Sequence, residues 1–442
     1  MPTPLAVTGA GAVSAAGRGL DALWKALMEG RAFPVLDLDP QLAGFAPIAT
    51  ARAPRLDPAA LGADLRAARL MGRHTHMLLA CAADALAGAE RAGGSLRGAE
   101  TGFFAALDSV DPAEGDLEPA ALASLEEGGF SPARFFAQGQ AAIHPLWPLA
   151  MLNNIAHCQA AIQLGLKGEN ATFAPGPEAG VQAVAEAACA VREGRARAAL
   201  AAGVSTVVSA RAVARHRERG LLPPGAGLGA GRPFAGGPGA LLGEGAAGLI
   251  LELPDRGGDR PALGYLAGWG SARAIENRVS LPGAIRAAAG AALASAGIGP
   301  GEIGLVIPDG AGEARAEAAE AEALSGLFGG RRPLALATKG ALGHLLGGAP
   351  AVDFLLALRC LREGRVPPSP RRGSLADGVL RFPGTPERAE GLGHALVLGL
   401  GRDGACGALV AAGGVDPPFR ARNVCRGEAC LAPTDEWSAD FS

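Results

Sequence analysis

The cysteines come first, because a thiolate is a strong nucleophile and a good metal ligand. The chain has seven, scattered without a paired framework, which is typical of reduced thiols in a cytoplasmic protein. Cys406 lies on a glycine-rich turn with no clear activating base beside it. Cys425 and Cys430 have a loose metal-like spacing without a second ligand pair, so we predict no metal site. The remaining four lie at apolar spacing in helix-like stretches and are predicted to be small buried side chains: Cys81, Cys158, Cys189 and Cys360.

Three further polar residues could carry acid–base or electrostatic chemistry. Glu178 opens a predicted helix, where its carboxylate would stabilise the helix dipole or line a buried pocket. His344 could be catalytic, although a lone histidine in a packed site is more often a structural hydrogen-bond partner. Lys339 would compensate charge if it paired with Glu244 or Asp309.

Length, composition and net charge limit the functions in which these residues can take part. The net charge is −3 over 442 residues, with Arg and Glu interspersed, so we expect no nucleic-acid-binding surface. No charged leader precedes the first apolar run, so we expect no signal peptide. No stretch reaches the roughly 20 uninterrupted apolar residues that span a bilayer, which predicts a cytoplasmic protein without membrane insertion. At 49% hydrophobic residues, the chain can bury large cores in two units.

The elements that must position these residues begin with a short strand at residues 5–8. It is predicted to end in a tight turn at Gly9-Ala10-Gly11, which lacks the full spacing of a phosphate-binding loop. Residues 110–145 are predicted to be an irregular surface insertion, and residues 221–243 a Gly/Pro-rich loop. The other elements predicted in this half are helices at 20–29, 71–91 and 180–193, and strands at 102–107, 170–174, 198–204 and 246–253.

The second half repeats the same alternation after a predicted domain boundary at residues 254–260. Alternating strands and helices with buried strands favour an α/β fold. We therefore predict an N-terminal half over residues 1–253, a C-terminal half over 261–412 and a loose tail over 416–442. The predicted helices are 284–296, 313–328 and 351–363, and the predicted strands are near 263 and at 303–308, 334–338, 395–400 and 407–412.

Six segments, in order along the chain, resemble motifs of the β-ketoacyl synthase family. Each is weak alone, but six in register indicate a thiolase-like fold with αβαβα layers and two similar halves. The matching segments are Val7-Thr8-Gly9-Ala10-Gly11 with Leu23-Trp24-Lys25, Arg232-Pro233-Phe234, Gly243-Glu244-Gly245-Ala246, Glu320-Ala321-Glu322-Ala323-Leu324, Thr338-Lys339-Gly340-Ala341-Leu342-Gly343-His344 and Gly399-Leu400-Gly401.

Condensing enzymes of this family need a cysteine at a helix N-terminus, two histidines and a nearby lysine. The helix dipole favours the thiolate, and the histidines assist decarboxylation and stabilise the enolate oxygen. In this chain the resemblance places Pro177 at the cysteine position and Asp309 at the first histidine position. Ala235 replaces the aspartate that follows Pro-Phe in the family, whereas Lys339 and His344 are retained.

These departures imply a chain similar to a chain length factor, the ketosynthase relative that lacks the nucleophile. It would pair with an active ketosynthase through the strand near residues 170–174, or form a homodimer, and line the acyl tunnel so that it limits chain length. An acyl carrier protein would be a further partner. The resemblance implies that Glu178, Leu400 and Cys406 line the substrate pocket and that no cofactor is needed. Two alternatives stay open: an acyltransferase or malonyl decarboxylase using His344, and an unrecognised nucleophile if the register at the cysteine position is wrong.

Overall fold

A computed structural model describes residues 3–414 except 70, 92, 109, 112–113, 223–226, 238, 255–260 and 390. The predicted tail, Cys425, Cys430 and most of the predicted boundary at 254–260 lie outside these residues. Across this part of the chain, no helix is both long and apolar enough to cross a membrane.

The elements alternate along the chain as the sequence pattern predicts. The strands are β1 (Leu5–Ser14), β2 (Gly17–Arg18), β3 (Val35–Leu36), β4 (Ala49–Ala51), β5 (Thr101–Leu107), β6 (Leu125–Glu126), β7 (Gly129–Phe130), β8 (Asn170–Phe173), β9 (Ala198–Thr206), β10 (Leu242–Glu252), β11 (Gly264–Arg273), β12 (Ile303–Ile307), β13 (Leu334–Ala335), β14 (Arg365–Val366), β15 (Glu387–Arg388), β16 (His394–Leu400) and β17 (Ala405–Ala412). The α-helices are α1 (Leu20–Met28), α2 (Leu65–Ala68), α3 (Arg73–Glu90), α4 (Glu118–Ala123), α5 (Pro132–Arg134), α6 (Trp147–Met151), α7 (Asn153–Leu164), α8 (Pro177–Arg192), α9 (Ala210–Glu218), α10 (Leu281–Ala296), α11 (Ala314–Phe328), α12 (Lys339–Leu342) and α13 (Ala349–Glu363).

The main sheet contains the same arrangement twice. In the N-terminal half the strand order is β1-β10-β9-β5-β8, and in the C-terminal half it is β11-β17-β16-β12-β13. If the five strands of each half are numbered as they occur along the chain, both halves have the same spatial order: first, fifth, fourth, second and third. In both halves the first three strands of this order pair antiparallel and the last two join in parallel. The halves meet where β1 pairs with β11 over three residues of each strand.

Helices complete five layers. α3 and α7 cover the outer face of the N-terminal strands, and α10 with α11 covers the outer face of the C-terminal strands. Between the two sets of strands lie α8 and α13, which contact each other and strands of both halves. The largest buried apolar cluster surrounds this middle layer. This architecture confirms the predicted thiolase-like αβαβα fold with two similar halves.

The first strand differs from its prediction. The sequence Gly9-Ala10-Gly11 was expected to form a tight turn, but β1 continues through it to Ser14. The glycines are needed because α3 crosses this strand closely: a methyl group on Gly11 would lie 2.1 Å from the carbonyl oxygen of Cys81. Glycine here allows the helix and strand backbones to approach each other. The local sequence, which does not include this helix, therefore predicts a turn instead.

Several other bounds also shift. The predicted helix at 180–193 begins earlier, at Pro177, and the predicted strand at 334–338 is reduced to two residues. The insertion at 110–145 is not irregular throughout, since it contains α4, α5 and the β6–β7 hairpin. Cys158 is exposed on α7 and Cys189 is half-buried, so the burial predicted for these two is wrong, whereas Cys81 and Cys360 are buried.

Candidate functional site

The N-terminus of α8 forms the base of the candidate site. Gly176, with a left-handed φ of 90°, caps the helix, and Pro177 is its first residue. Proline is well tolerated there, because the first-turn N–H groups have no helical partner and its fixed φ suits the helix. The chain therefore keeps a sharp turn from β8 into the helix, but the residue at its apex has no nucleophilic side chain.

Asp108 connects this turn to a second loop. Its buried carboxylate accepts a hydrogen bond from the Gly176 N–H at 3.0 Å and another from the Gly347 N–H at 2.9 Å. Burial raises the pKa of Asp108 to about 6, although both backbone donors oppose the shift. A single side chain thus ties the start of α8 to the loop that follows His344.

Two glutamates on α11 hold the loop that carries Asp309. The Glu320 carboxylate accepts hydrogen bonds from the N–H groups of Asp309 at 2.6 Å and Gly310 at 3.0 Å. Glu317 accepts one from the Gly312 N–H at 2.8 Å. Burial raises the pKa of Glu317 to about 7, and burial together with the nearby Asp309 raises that of Glu320. The loop conformation therefore depends on buried carboxylates from the following helix.

Lys339 neutralises the carboxylate of Asp309. Its Nζ lies 3.4 Å from Asp309 Oδ1 and 3.6 Å from Asp353 Oδ2, and all three side chains are buried. Burial alone would lower the pKa of Lys339, but the surrounding carboxylates outweigh it and raise the pKa. Of the two partners considered from sequence, Asp309 contacts the lysine, whereas Glu244 pairs with Arg73.

His344 is buried next to this ion-paired cluster. Its backbone N–H donates to the Leu241 carbonyl at 2.6 Å, which fixes the loop, while its ring Nδ1 finds no partner among the described residues. Burial is the largest of the causes that hold the pKa of His344 well below its ordinary value, and the positive charges of Lys339 and Arg402 lower it further. The ring is therefore neutral near pH 7 and can exchange hydrogen bonds without carrying charge.

The end of β16 packs across the start of α8. A methyl group on Gly399 would lie 3.0 Å from the Pro177 carbonyl oxygen, so the strand touches the helix terminus. The Leu400 N–H points to Asp309 Oδ1 at 3.4 Å. Glu178 is buried, its Oε2 has no partner in the described structure, and burial raises its pKa to about 7. The residues predicted to form one site thus converge from both halves.

Cys406 lies on β17 and not on the glycine turn where the sequence placed it. It pairs with Leu400 across the antiparallel ladder, and burial raises the pKa of its thiol to about 12. Nearby carboxylates raise this pKa further instead of activating the thiol. Its side chain belongs to the apolar cluster that α10 and α11 cover, and Cys406 is not poised as a nucleophile.

Sequence reasoning missed an ion pair at the rim of the site. Arg402 Nη2 lies 3.2 Å from Glu313 Oε2, and each side chain is about one third exposed. Arg402 also lies close enough to Asp309 and His344 to affect pKa values in the site. The only local signal is a charged residue beside each of two glycine-rich loops. No group of three or more potential metal ligands assembles within the described part of the chain.

The duplicated sheet, the turn into α8 and the segment that carries Lys339 and His344 define the thiolase-like ketosynthase fold. The chain belongs to the β-ketoacyl synthase family: the model of the N-terminal domain matches residues 3–255, and that of the C-terminal domain matches residues 264–371. This confirms the resemblance found in the sequence motifs.

Relatives within this family include a ketoacyl synthase beta subunit and a 3-oxoacyl-acyl-carrier-protein synthase. The chain is 28% identical over 396 residues to the tetracenomycin polyketide synthase ketoacyl synthase beta subunit of Streptomyces glaucescens, covering 86% of this chain and 90% of the relative. It is 30% identical over 257 residues to 3-oxoacyl-acyl-carrier-protein synthase 2 of Mycobacterium tuberculosis H37Rv, covering 56% and 62%.

Solved structures show the same fold at low sequence identity. The ishigamide ketosynthase/chain length factor matches with a TM-score of 0.76 at 21% identity, covering 93% of this chain and 100% of that chain. A β-ketoacyl synthase from Burkholderia phymatum matches with a TM-score of 0.77 at 21% identity, covering 93% and 99%. The complex AntDE:AntF, a type II polyketide synthase acyl-carrier protein with its ketosynthase, matches with a TM-score of 0.74 at 19% identity, covering 93% and 100%.

Proposed function

We propose that this chain is a non-elongating ketosynthase-type subunit that pairs with an active ketosynthase in polyketide biosynthesis and shapes its acyl tunnel. The observation that carries the proposal is Pro177 as the first residue of α8. Condensation by this family needs a thiolate at that point. Cys406 is buried in the apolar cluster that α10 and α11 cover, with a pKa of about 12, and cannot substitute for it.

The charge of the site supports the same conclusion. Decarboxylative condensation passes through a thioester enolate, whose oxygen must be stabilised by hydrogen-bond donors or positive charge. Asp309 lies at the position of the first histidine and would repel that oxygen. The positive charge of Lys339 is already shared between Asp309 and Asp353. The cluster is therefore suited to holding the loops together and poorly suited to stabilising an enolate.

A partner surface is available at the edge of the N-terminal strands. β8 pairs with β5 on one side and ends the strand order of the main sheet in the described structure. An open edge can pair with the same edge of a second chain. The insertion and α7, close to this edge in sequence, expose many large apolar side chains, as expected of a large, apolar, obligate interface: Leu122, Leu125, Phe130, Phe136, Leu146, Leu152 and Ile162.

A cleft of about 550 Å³ lies under the same insertion. Val110, Leu146, Trp147 and Leu149 contribute apolar lining, and Asp111 with other charged residues contributes polar lining. A growing polyketide carries alternating carbonyl groups, so a wall of mixed polarity suits it better than a purely apolar one. We propose that this cleft forms part of the tunnel wall when the partner is bound.

Co-purification tests the pairing. The tagged chain, co-expressed with a ketosynthase of the same organism that carries the catalytic cysteine, should recover that protein at equal stoichiometry. Ile162→Asp, on the exposed face of α7 next to β8, should abolish recovery because it places a charge in an apolar interface. Leu375→Asp, an exposed apolar residue of the C-terminal half, is the matched control and should have no effect. A stable homodimer that never associates with a ketosynthase would contradict the proposal.

Acyl loading tests the absence of condensing activity. The chain alone should form no covalent acyl adduct with an acyl-carrier protein, whereas the partner should be acylated. Thiol-directed peptide mapping of the chain would reveal an adduct on any cysteine. An acylated peptide from this chain would show that a nucleophile exists and that Pro177 does not mark its position.

A second function, decarboxylation of a malonyl group, is favoured by two buried polar atoms without partners. These atoms are His344 Nδ1 and Glu178 Oε2. Near pH 7 the His344 ring is neutral, and burial raises the pKa of Glu178 to about 7, so that a substantial fraction of its carboxyl group is protonated and can donate a proton. The bond from the carboxylate carbon to the α-carbon would break, carbon dioxide would leave, and the enolate would take a proton to give acetyl. Release of carbon dioxide from malonyl-carrier protein by the pure chain, lost in His344→Ala and Glu178→Gln, is required. No turnover would exclude this function.

A further inference from the structure

An arginine-lined cleft lies between residues 368–384 of the C-terminal half and two residues of the N-terminal half, Gly30 and Arg232, and shares no lining residue with the site around Pro177. It has a volume of about 570 Å³, and its lining includes Arg232, Arg371 and Arg372, together with Ser369 and Ser374. The remaining lining residues are glycines and prolines, and none of the described lining residues is acidic. The cleft is therefore concave, polar and positively charged.

The three arginines differ in how their charges are balanced. Arg372 Nη1 contacts Asp377 Oδ1 at 2.6 Å, and its guanidinium stacks 4.6 Å from the centre of the Phe382 ring. Arg371 and Arg232 donate only to backbone carbonyl groups in the described structure: Arg371 to those of Leu228 and Ala230, and Arg232 to that of Arg372. Two guanidinium groups thus face one cleft without a carboxylate partner.

Arg371 is held in a costly arrangement. Its backbone has a left-handed φ of 59°, which a non-glycine residue adopts only when its surroundings enforce it. Its Nε is buried and has no hydrogen-bond partner among the described residues. Arg371 and Arg232 line the same cleft, and burial followed by the positive charge of Arg232 lowers the pKa of Arg371. Repulsion of this kind is relieved when an anion binds between the cations.

We propose that this cleft is a binding site for a phosphate-class oxyanion, either free or as the phosphate group of a small organic molecule. Planar guanidinium groups match phosphate oxygens in bidentate geometry, which a lysine could not reproduce. Ser369 and Ser374 supply hydroxyl groups in the same lining. The volume accommodates a diphosphate and part of the group attached to it. This inference is independent of the function proposed for the site around Pro177.

Titration calorimetry of the full chain with inorganic phosphate, pyrophosphate and coenzyme A tests the site. Pyrophosphate should bind saturably, more tightly than phosphate, and more weakly as salt is raised. Removing one guanidinium contact should weaken binding roughly 10- to 100-fold, the range of a hydrogen bond between charged groups. Tighter binding of coenzyme A would identify an organic phosphate as the ligand type, and tighter binding of pyrophosphate a free oxyanion; either supports the site.

Arg371→Gly is the most informative variant, because glycine accepts the left-handed backbone and removes only the side chain. Arg232→Ala tests the second cation. Arg278→Ala removes an exposed arginine outside the cleft and is the matched control. Unchanged circular dichroism and thermal unfolding establish that each variant is folded. Absence of saturable binding to the parent chain would overturn the proposal, as would binding that survives Arg371→Gly and Arg232→Ala or that Arg278→Ala weakens equally.

Discussion

Replacing Lys339 with methionine should lower the free energy of unfolding by about 3–5 kcal/mol near pH 8, because it leaves buried carboxylates without their cation. The magnitude follows from the geometry. At an effective dielectric constant of about 20, charges separated by 3.4 Å attract with about 5 kcal/mol. Much of that gain offsets desolvation in the parent, but the variant loses the attraction and keeps the desolvation cost of the carboxylates.

The pH dependence distinguishes this explanation from lost packing. Burial already raises the pKa values of Asp353 and Glu320, and loss of the cation raises them further. A carboxyl whose pKa is higher in the folded state contributes stability at low pH and loses it as pH rises through that folded pKa. The deficit of Lys339→Met should therefore be largest near pH 8 and shrink towards about pH 5.

Urea unfolding followed by circular dichroism at several pH values measures the effect. Lys25→Met, a substitution of an exposed lysine, should leave the midpoint unchanged. Adding Asp309→Asn to Lys339→Met should recover part of the loss, because it removes one of the stranded carboxylates. A deficit below about 1 kcal/mol, or one that is constant with pH, would refute the assignment of Lys339 as the charge-compensating group.

Three further outcomes follow from the site and the core. Glu178→Gln should be more stable than the parent by about 1 kcal/mol above about pH 7, after allowance for solvent screening, because burial raises the pKa of Glu178 from 4.5 to about 7 and the parent loses stability as pH rises between these two values; a difference that does not grow between about pH 4.5 and pH 7 would contradict this. Gly11→Ala should cost 2 kcal/mol or more by roughly the scale of overpacked cores, whereas Gly290→Ala, with open space at its position inside α10, should gain about 1 kcal/mol in thermal unfolding. A thiol reagent should label Cys158 in the native protein and leave Cys81 and Cys360 unmodified until unfolding, as peptide mapping would show, and labelling of the buried pair under native conditions would contradict their assignment to the core.

The fold was predictable because its signals are distributed over many residues. Period-two and helical patterns place most strands and helices, and the ordered motifs identify the family without any single decisive residue. The errors occur where a residue type serves long-range packing. Gly9 and Gly11 resemble turn residues locally, but a helix distant in the sequence crosses them. No local pattern distinguishes these two uses of glycine.

The site was predictable at its centre and not at its rim. The positions of Pro177, Asp309, Lys339 and His344 follow from motif registers, and the structure brings the elements that carry them together. Assignment of Glu178, Leu400 and Cys406 to a substrate pocket stays a prediction. The contact between Arg402 and Glu313 depends on how two loops from separate elements face each other. Protonation states were also inaccessible, since they depend on burial that only the packed structure defines.

The carboxylate of Asp108 has a consequence for the evolution of this chain. It fastens the turn before α8 to the loop after His344 through backbone N–H groups alone. These hydrogen bonds do not involve the side chains of the two loops, so substitutions at Pro177 or His344 leave them intact. Reactivity can therefore be lost, and architecture retained, by separate mutational steps. The same independence makes the chain a scaffold in which Pro177→Cys and Asp309→His can be introduced to test whether these two side chains confer condensing activity.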